Sequence, residues 1–167
     1  SSGYSRSYDD RKQSGDHFQF TPYQGDEVTL EDAQDVRDAT SLSFPFYNTS
    51  SQLKYNADTK TYDYYEFGSV CQDGGNNQTV TFKYVLIQDC TFTQYDEHGY
   101  LIYNCIAEQQ PGYYCTNGKA IPIIWSKTSE GGITKYYDKS GNEITLNPGK
   151  TYITLIPSDT WESVTLN

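Results

Sequence analysis

From Leu42 to the end of the chain, short apolar and polar runs alternate, and turn residues interrupt them at intervals of about ten, the punctuation of an all-β domain. Gln52–Tyr55 and Thr61–Glu66 flank Asn56-Ala57-Asp58-Thr59 as a hairpin, and Asp73 to Asn77 reads as a loop. Val80, Phe82, Tyr84 and Leu86 alternate with Thr81, Lys83 and Val85 in a run that predicts one long strand to Thr93. Tyr100–Ala107 returns along it after the loop Asp96-Glu97-His98-Gly99. Asn117-Gly118, both tolerant of positive φ, predicts a type I′ turn joining Tyr113–Thr116 to Ala120–Ser126. Pro122 cannot donate to a ladder, which places it on an edge or at a bulge. Asp138 to Gly141 turns Ile133–Tyr137 back into Glu143–Leu146. Asn147-Pro148-Gly149 leads through a type II turn into Thr151–Ile156, and Trp161–Leu166 supplies a last short strand.

The N-terminal part reads differently. Residues 1–27 are rich in Ser, Asp and Gln and form a flexible tail or interdomain linker, with 28–167 as a single β-rich domain. Thr29 with Asp32 three residues on, then Ala33, Val36 and Ala39, predicts one short helix ending near Thr40. The expected fold is mainly β, an antiparallel sandwich or partly open barrel built of hairpins, with that one N-terminal helix.

Composition narrows the function. Hydrophobic residues make up 35% of the 167, yet aromatics reach 16% with 17 tyrosines, so the core must lean on rings with polar tips. Twelve Lys+Arg against 22 Asp+Glu leave a formal charge of −10, which argues against a nucleic-acid partner. No apolar run approaches the roughly 20 residues of a membrane helix. With no start methionine or secretory h-region, the chain reads as an excised fragment.

The cysteines are Cys71, Cys90, Cys105 and Cys115, with no C-x-x-C pair and two histidines in the chain, so no metal site is expected. Two readings stand: disulfides in an oxidising compartment, or buried apolar thiols. A four-residue loop at Asp96 to Gly99 sets Cys90 directly opposite Cys105, within reach of a bridge. A three-residue loop with a bulge at Gly99 sends the two side chains to opposite faces. Cys71 and Cys115 form the remaining candidate pair.

Candidate chemistry is sparse. Asp96, Glu97, Asp138 and Glu143 sit in or beside turns, where a carboxylate caps its own backbone. The stretch from Asp138 to Glu143 lacks calcium-loop spacing. Nucleophilic catalysis would need a histidine beside a cysteine, and His98 at a loop tip is the only histidine of the β domain, with Cys115 the nucleophile by elimination. No catalytic residue and no cofactor is assigned. Tyrosine pairs are the one positive feature: neighbours on a strand face opposite ways, so one ring of each pair can face solvent and stack on a sugar or peptide. Tyr113, Tyr136 and Tyr137 are the candidate ligand-binding rings, with Lys119 and Trp125 as a second patch; half-buried strands favour tyrosine without any ligand.

The stretch from Tyr113 to Ile121 with Trp125 and Lys127, then Thr134 to Asp138, Gly141, Leu146 to Thr151 and an apolar strand ending at Pro157, resembles the C-terminal domain of the YerB-like family of bacterial lipoproteins, a domain of unknown function. The clear match covers roughly residues 112–157 and a looser one reaches back through Tyr62–Glu66, the Val80–Gln88 strand and the Asp96 to Gly99 loop. Ser126 replaces a common lysine, Cys115 a usual aromatic and Tyr152 a frequent tryptophan, so no family role passes to the cysteines. The resemblance implies an extracytoplasmic protein, held on the outer face of the cytoplasmic membrane by an upstream lipid anchor, with a larger N-terminal domain before this one. It implies a non-catalytic accessory or ligand-binding domain whose partners are that missing domain and a cell-wall polymer or peptide. The alternative is part of an envelope-polymer hydrolase or transferase with its catalytic residues mainly in the N-terminal domain.

Overall fold

A computed structural model describes residues 18–22 and 25–167. Part of the expected 1–27 tail therefore lies outside the described residues. In chain order the strands are β1 (Gln19–Phe20), β2 (Arg37–Asp38), β3 (Ser41–Ser43), β4 (Gln52–Asn56), β5 (Thr61–Glu66), β6 (Ser69–Val70), β7 (Thr81–Phe82) and β8 (Tyr84–Cys90). They continue with β9 (Phe92–Gln94), β10 (Leu101–Tyr103), β11 (Ala107–Thr116), β12 (Lys119–Lys127), β13 (Lys135–Tyr137), β14 (Thr145–Leu146), β15 (Thr151–Pro157) and β16 (Thr165–Leu166). One sheet has the order β13-β12-β11-β8-β15, with β2 beside the start of β12; the other has the order β16-β3-β4-β5-β6, with β7 beside β5. They pack face to face as an open sandwich and do not close into a barrel, in keeping with the mainly β class read from the sequence.

The layers follow from β8. All seven of its residues are buried, so it has a core on both sides. Val85 and Ile87 point between the sheets and meet Leu42, Leu53, Tyr62, Cys115 and Ile156. Tyr84 and Leu86 point outwards and meet Tyr114, Ile121, Trp125, Tyr136 and Leu146. That outer face is covered by the N-terminal segment: Leu30 is buried in it, and Phe18, Val28, Ala33 and Val36 pack against it. The order is thus strap, sheet, sheet.

The strap is where sequence and structure disagree. The helix expected between Thr29 and Thr40 is absent; the segment is a chain of turns. Leu30 and Asp35 take φ of 65° and 59°, which no right-handed helix contains. Ala33 N–H donates to the Leu30 carbonyl at 3.1 Å, a single turn that goes no further. The cause is tertiary. Val28 is pinned at one end and Arg37–Asp38 pairs with Lys119 and Ala120 at the other. A helix rises only about 1.5 Å per residue, so winding this segment up would shorten it between two fixed ends. Burying Leu30 contributes about 2 kcal/mol, which outweighs roughly 1 kcal/mol for its left-handed backbone. Among the described residues the one helical stretch is a 3₁₀ segment, Ser158–Ser163.

Two further differences concern strands. The single strand expected over 80–93 is three strands, because the chain leaves one sheet after β7 and enters the other at β8 with Lys83 as the corner. The strand after Asn147-Pro148-Gly149 does not return on its predecessor; β15 runs parallel to β8 from Thr151 opposite Tyr84 to Pro157 opposite Cys90. The Asn117-Gly118 turn is as expected, with φ of 52° and 73°. A Cβ on Gly118 would lie 2.9 Å from the Tyr55 ring, so the turn needs glycine for space as well as for φ.

Candidate functional site

Two motif asparagines hold the strap down. Asn147 is fully buried; its Oδ1 accepts from Val28 N–H at 2.8 Å and its Nδ2 donates to the Val28 carbonyl at 2.8 Å and to Thr116 Oγ1 at 3.1 Å. Asn117 Nδ2 donates to the same carbonyl at 3.0 Å. An amide side chain thus pairs with Val28 as a neighbouring strand would, through a donor and an acceptor fixed in one plane. The backbone N–H of Asn147 donates to Tyr114 Oη at 3.1 Å, and burial pushes the Tyr114 phenol far above its ordinary range. Glu27, one residue before the clamp, ion-pairs with Lys83 at the corner between the sheets.

Beyond the clamp the strap arches over the outer edge of β12 and leaves a cleft of about 340 Å³. Val28, Leu30 and Ala33 form its roof, Tyr114, Ile121 and Pro122 its floor, and Asp138, Lys139, Glu143 and Ile144 its far wall. Pro122 explains the opening. β12 is flanked by β2 at Lys119 and Ala120 and by β13 from Ile124 to Ser126, with no pairing between them among the described residues. Counted out from the two-residue turn, the Pro122 nitrogen faces this gap, where a donor would be wanted and proline has none. The edge position expected for Pro122 is thus also the floor of the cleft.

The charges around the cleft are internally matched. Lys139 Nζ meets Asp35 Oδ2 at 2.6 Å, closing the mouth between strap and wall, and Lys135 Nζ meets Glu143 Oε1 at 2.7 Å. Asp138 caps its own turn, its Oδ1 accepting from Ser140 and Asn142 N–H at 2.9 Å each. These bonds, with Asn142 first, hold its carboxyl below the usual range. What remains for a ligand is a largely aliphatic surface with the neutral polar side chains of Gln34, Ser140 and Thr145, not a charged socket.

The five residues singled out from the sequence for ligand binding lie elsewhere. Trp125 and Tyr136 are cross-strand partners on the outer face; Trp125 is 2% exposed and its Nε1 donates to the Asp89 carbonyl at 3.0 Å. Tyr136 is buried, accepts from Gln88 Nε2 at 3.1 Å and stacks on Phe18 at 5.9 Å between centroids. Tyr113 lies on the opposite, inter-sheet face, stacked on Trp161 at 5.5 Å, with the Arg37 guanidinium 5.9 Å from its ring. Tyr137 is half-buried and bridges to Glu143. Lys119 ion-pairs with Asp38 at 2.6 Å. The five do not converge. The cleft residues Val28, Leu30 and Ala33 were missed, although Pro122 inside a strand was a usable signal.

Cys71, Cys90, Cys105 and Cys115 are free thiols, so neither candidate bridge is closed. Cys115 is fully buried between the sheets, with its thiol pushed far up by desolvation, while Cys71 lies beside β6 at the rim of the second sheet. His98 and Glu97 are exposed at the hairpin tip, and Asp96 Oδ1 accepts from His98 and Tyr100 N–H at 3.0 and 3.2 Å. Among the described residues no group of three His, Cys, Asp or Glu is placed to hold a metal ion, and no helix is long and apolar enough to cross a membrane.

Comparison with known proteins agrees with the fold. The family model for the C-terminal domain of DUF3048, a protein of unknown function, matches residues 42–153. The crystal structure of YerB from Bacillus subtilis is similar, with a TM-score of 0.66 and 17% identity over 80% of this chain, which spans 45% of that one. No curated protein matches.

Proposed function

Since the chain belongs to the DUF3048 C-terminal domain family, we propose that it is a non-catalytic accessory domain of an extracytoplasmic bacterial lipoprotein, and that its cleft holds an aliphatic part of a peptide ligand. The observation that supports this is the cleft itself. It is aliphatic, roofed by a strap, and ringed by charges that already have partners. A sugar ligand favours an exposed ring to stack on, and the one ring here, Tyr114, is fully buried. The volume lies at the small end of ligand pockets, enough for one or two small aliphatic side chains. A wall peptide, not the glycan of the same polymer, is the ligand class that fits. Export and an upstream lipid anchor accord with the family resemblance. Because the chain spans less than half of YerB, the remainder of the longer protein is proposed as a second partner.

Thermal shift with an alanine-rich wall stem peptide and with a chito-oligosaccharide tests this. The peptide raises Tm and the sugar does not, and Ala33→Trp, which fills the roof, removes the shift. A shift that survives Ala33→Trp, or one given by the sugar alone, overturns the reading.

A further inference from the structure

Cys90 ends the buried central strand β8, and Cys105 lies on the far side of the small hairpin formed by β9 and β10. The hairpin register sets Gln94 opposite Leu101, Thr93 opposite Ile102 and Phe92 opposite Tyr103. It does not stop there. Tyr95 N–H donates to the Tyr100 carbonyl at 2.7 Å at the tip, and Asn104 N–H donates to the Thr91 carbonyl at 2.8 Å at the base. This is the four-residue-loop register, and its next rung pairs Cys90 with Cys105. Hydrogen-bonded and non-hydrogen-bonded rungs alternate, and Thr91 with Asn104 is of the bonded kind. The cysteine rung is therefore non-bonded, the kind whose Cα atoms approach to about 4.5 Å and whose side chains are nearest. That separation is at the short end of what a disulfide accepts.

One local feature keeps the rung open. Cys105 N–H donates to the Tyr103 carbonyl at 3.1 Å, a three-residue turn centred on Asn104 that bends the chain away before the register is complete. Asn104 Oδ1 holds the bend by accepting from Ile106 N–H at 3.2 Å. The Cys90 thiol meanwhile donates to the Asn104 carbonyl at 3.2 Å. Cys90 is buried and Cys105 exposed, and the two thiols still interact, which adds to burial in raising the Cys90 thiol to about 11.

We infer that Cys90 and Cys105 are an oxidisable pair, closed by a low-molecular-weight or protein disulfide into a cross-strand bridge at the base of the hairpin. The exposed Cys105 thiol gives its proton to solvent, attacks the incoming disulfide and forms a mixed disulfide, releasing one thiolate. Undoing the turn at Asn104 brings the Cys90 sulfur onto Cys105; it gives its proton to solvent, forms the internal bond and expels the second thiolate. Two thiols of this chain and one oxidant disulfide become one disulfide in this chain and the two thiols of the oxidant. Cys71 and Cys115 take no part, one at the rim of the second sheet and the other sealed between the sheets.

Incubation with oxidised glutathione, then alkylation under denaturing conditions and mass spectrometry, tests the pair. The expected product has lost two hydrogens, carries two alkylated cysteines at 71 and 115, and yields a peptide linking 90 to 105. Its Tm rises by about 5 °C and falls back with dithiothreitol. Cys105→Ser, at an exposed position, abolishes both the mass change and the shift. Four alkylatable thiols, a link through Cys71 or Cys115, or a stable glutathione adduct on Cys105 that never resolves would each overturn the inference.

Discussion

The two faces of the sheet that contains β8 are buried by different means. The inner face meets a second sheet, and its core is a continuous layer from Leu42 and Leu53 to Val85, Ile87 and Ile156. The outer face meets a strap with little regular structure, whose docking rests on two amides around Val28, on the Arg37–Asp38 pairing and on single apolar residues such as Leu30. The inner face is closed on itself. The outer one leaves a cleft where the strap and a proline-interrupted strand edge fail to meet. The regular core and the open cleft are thus divided between the two sides of one sheet.

The largest effect that sharpens this comparison is expected from the inner face. Leu53→Ala removes a fully buried side chain between two rigid sheets and costs about 3 kcal/mol in urea unfolding. Ile121→Ala, on the cleft floor, costs about half as much because its site is already open on one side. Equal costs would break the comparison. Next comes Asn147→Ala, which strands the N–H of Val28, leaves its carbonyl to Asn117 alone and costs about 2 kcal/mol. Hydrogen exchange should then speed up over 25–36 while β8 and β11 stay protected; uniform loss of protection would show that strap and sheets unfold as one unit.

A smaller effect depends on pH. Burial works to raise the Glu27 carboxyl, but Lys83, Asn117 and Lys60 together bring it below the ordinary value of 4.5. A carboxylate depressed in the folded state adds stability that is present above its unfolded pKa and is lost as pH falls through the folded value. Wild-type stability should therefore fall more steeply than that of Glu27→Gln between about pH 5 and about pH 3, as read by Tm. The smallest change is expected from Lys139→Ala. Its ion pair with Asp35 is exposed and screened by solvent, so its loss should leave Tm unmoved, yet it opens the mouth of the cleft and should alter peptide affinity.

What the sequence made legible was local. Asn117-Gly118, the Asp138 to Gly141 turn and the hairpin of β4 and β5 are signals carried by neighbouring residues, and all reappear in place. The corner at Lys83 and the parallel entry of β15 are decided by which sheet has a free edge, and no short window contains that. The false helix has the same origin: Thr29 and Asp32 offer a capping pattern, while Val28 is held by residues 89 and 119 positions away. The tyrosines misled for a related reason. With only 35% hydrophobic residues the core is built from rings, and exposure could not be inferred from a strand position alone.

The stretch from Thr151 to Leu166 supplies one strand to each sheet, β15 beside β8 and β16 beside β3. A nascent chain lacking that stretch would carry two open edges, one of them along its most apolar strand, so neither half of the sandwich can be sealed until that stretch has been made. Slow, late-committing assembly follows, as expected where distant segments must find each other. Removal of residues 151–167 should yield a sticky, self-associating product instead of a smaller stable domain.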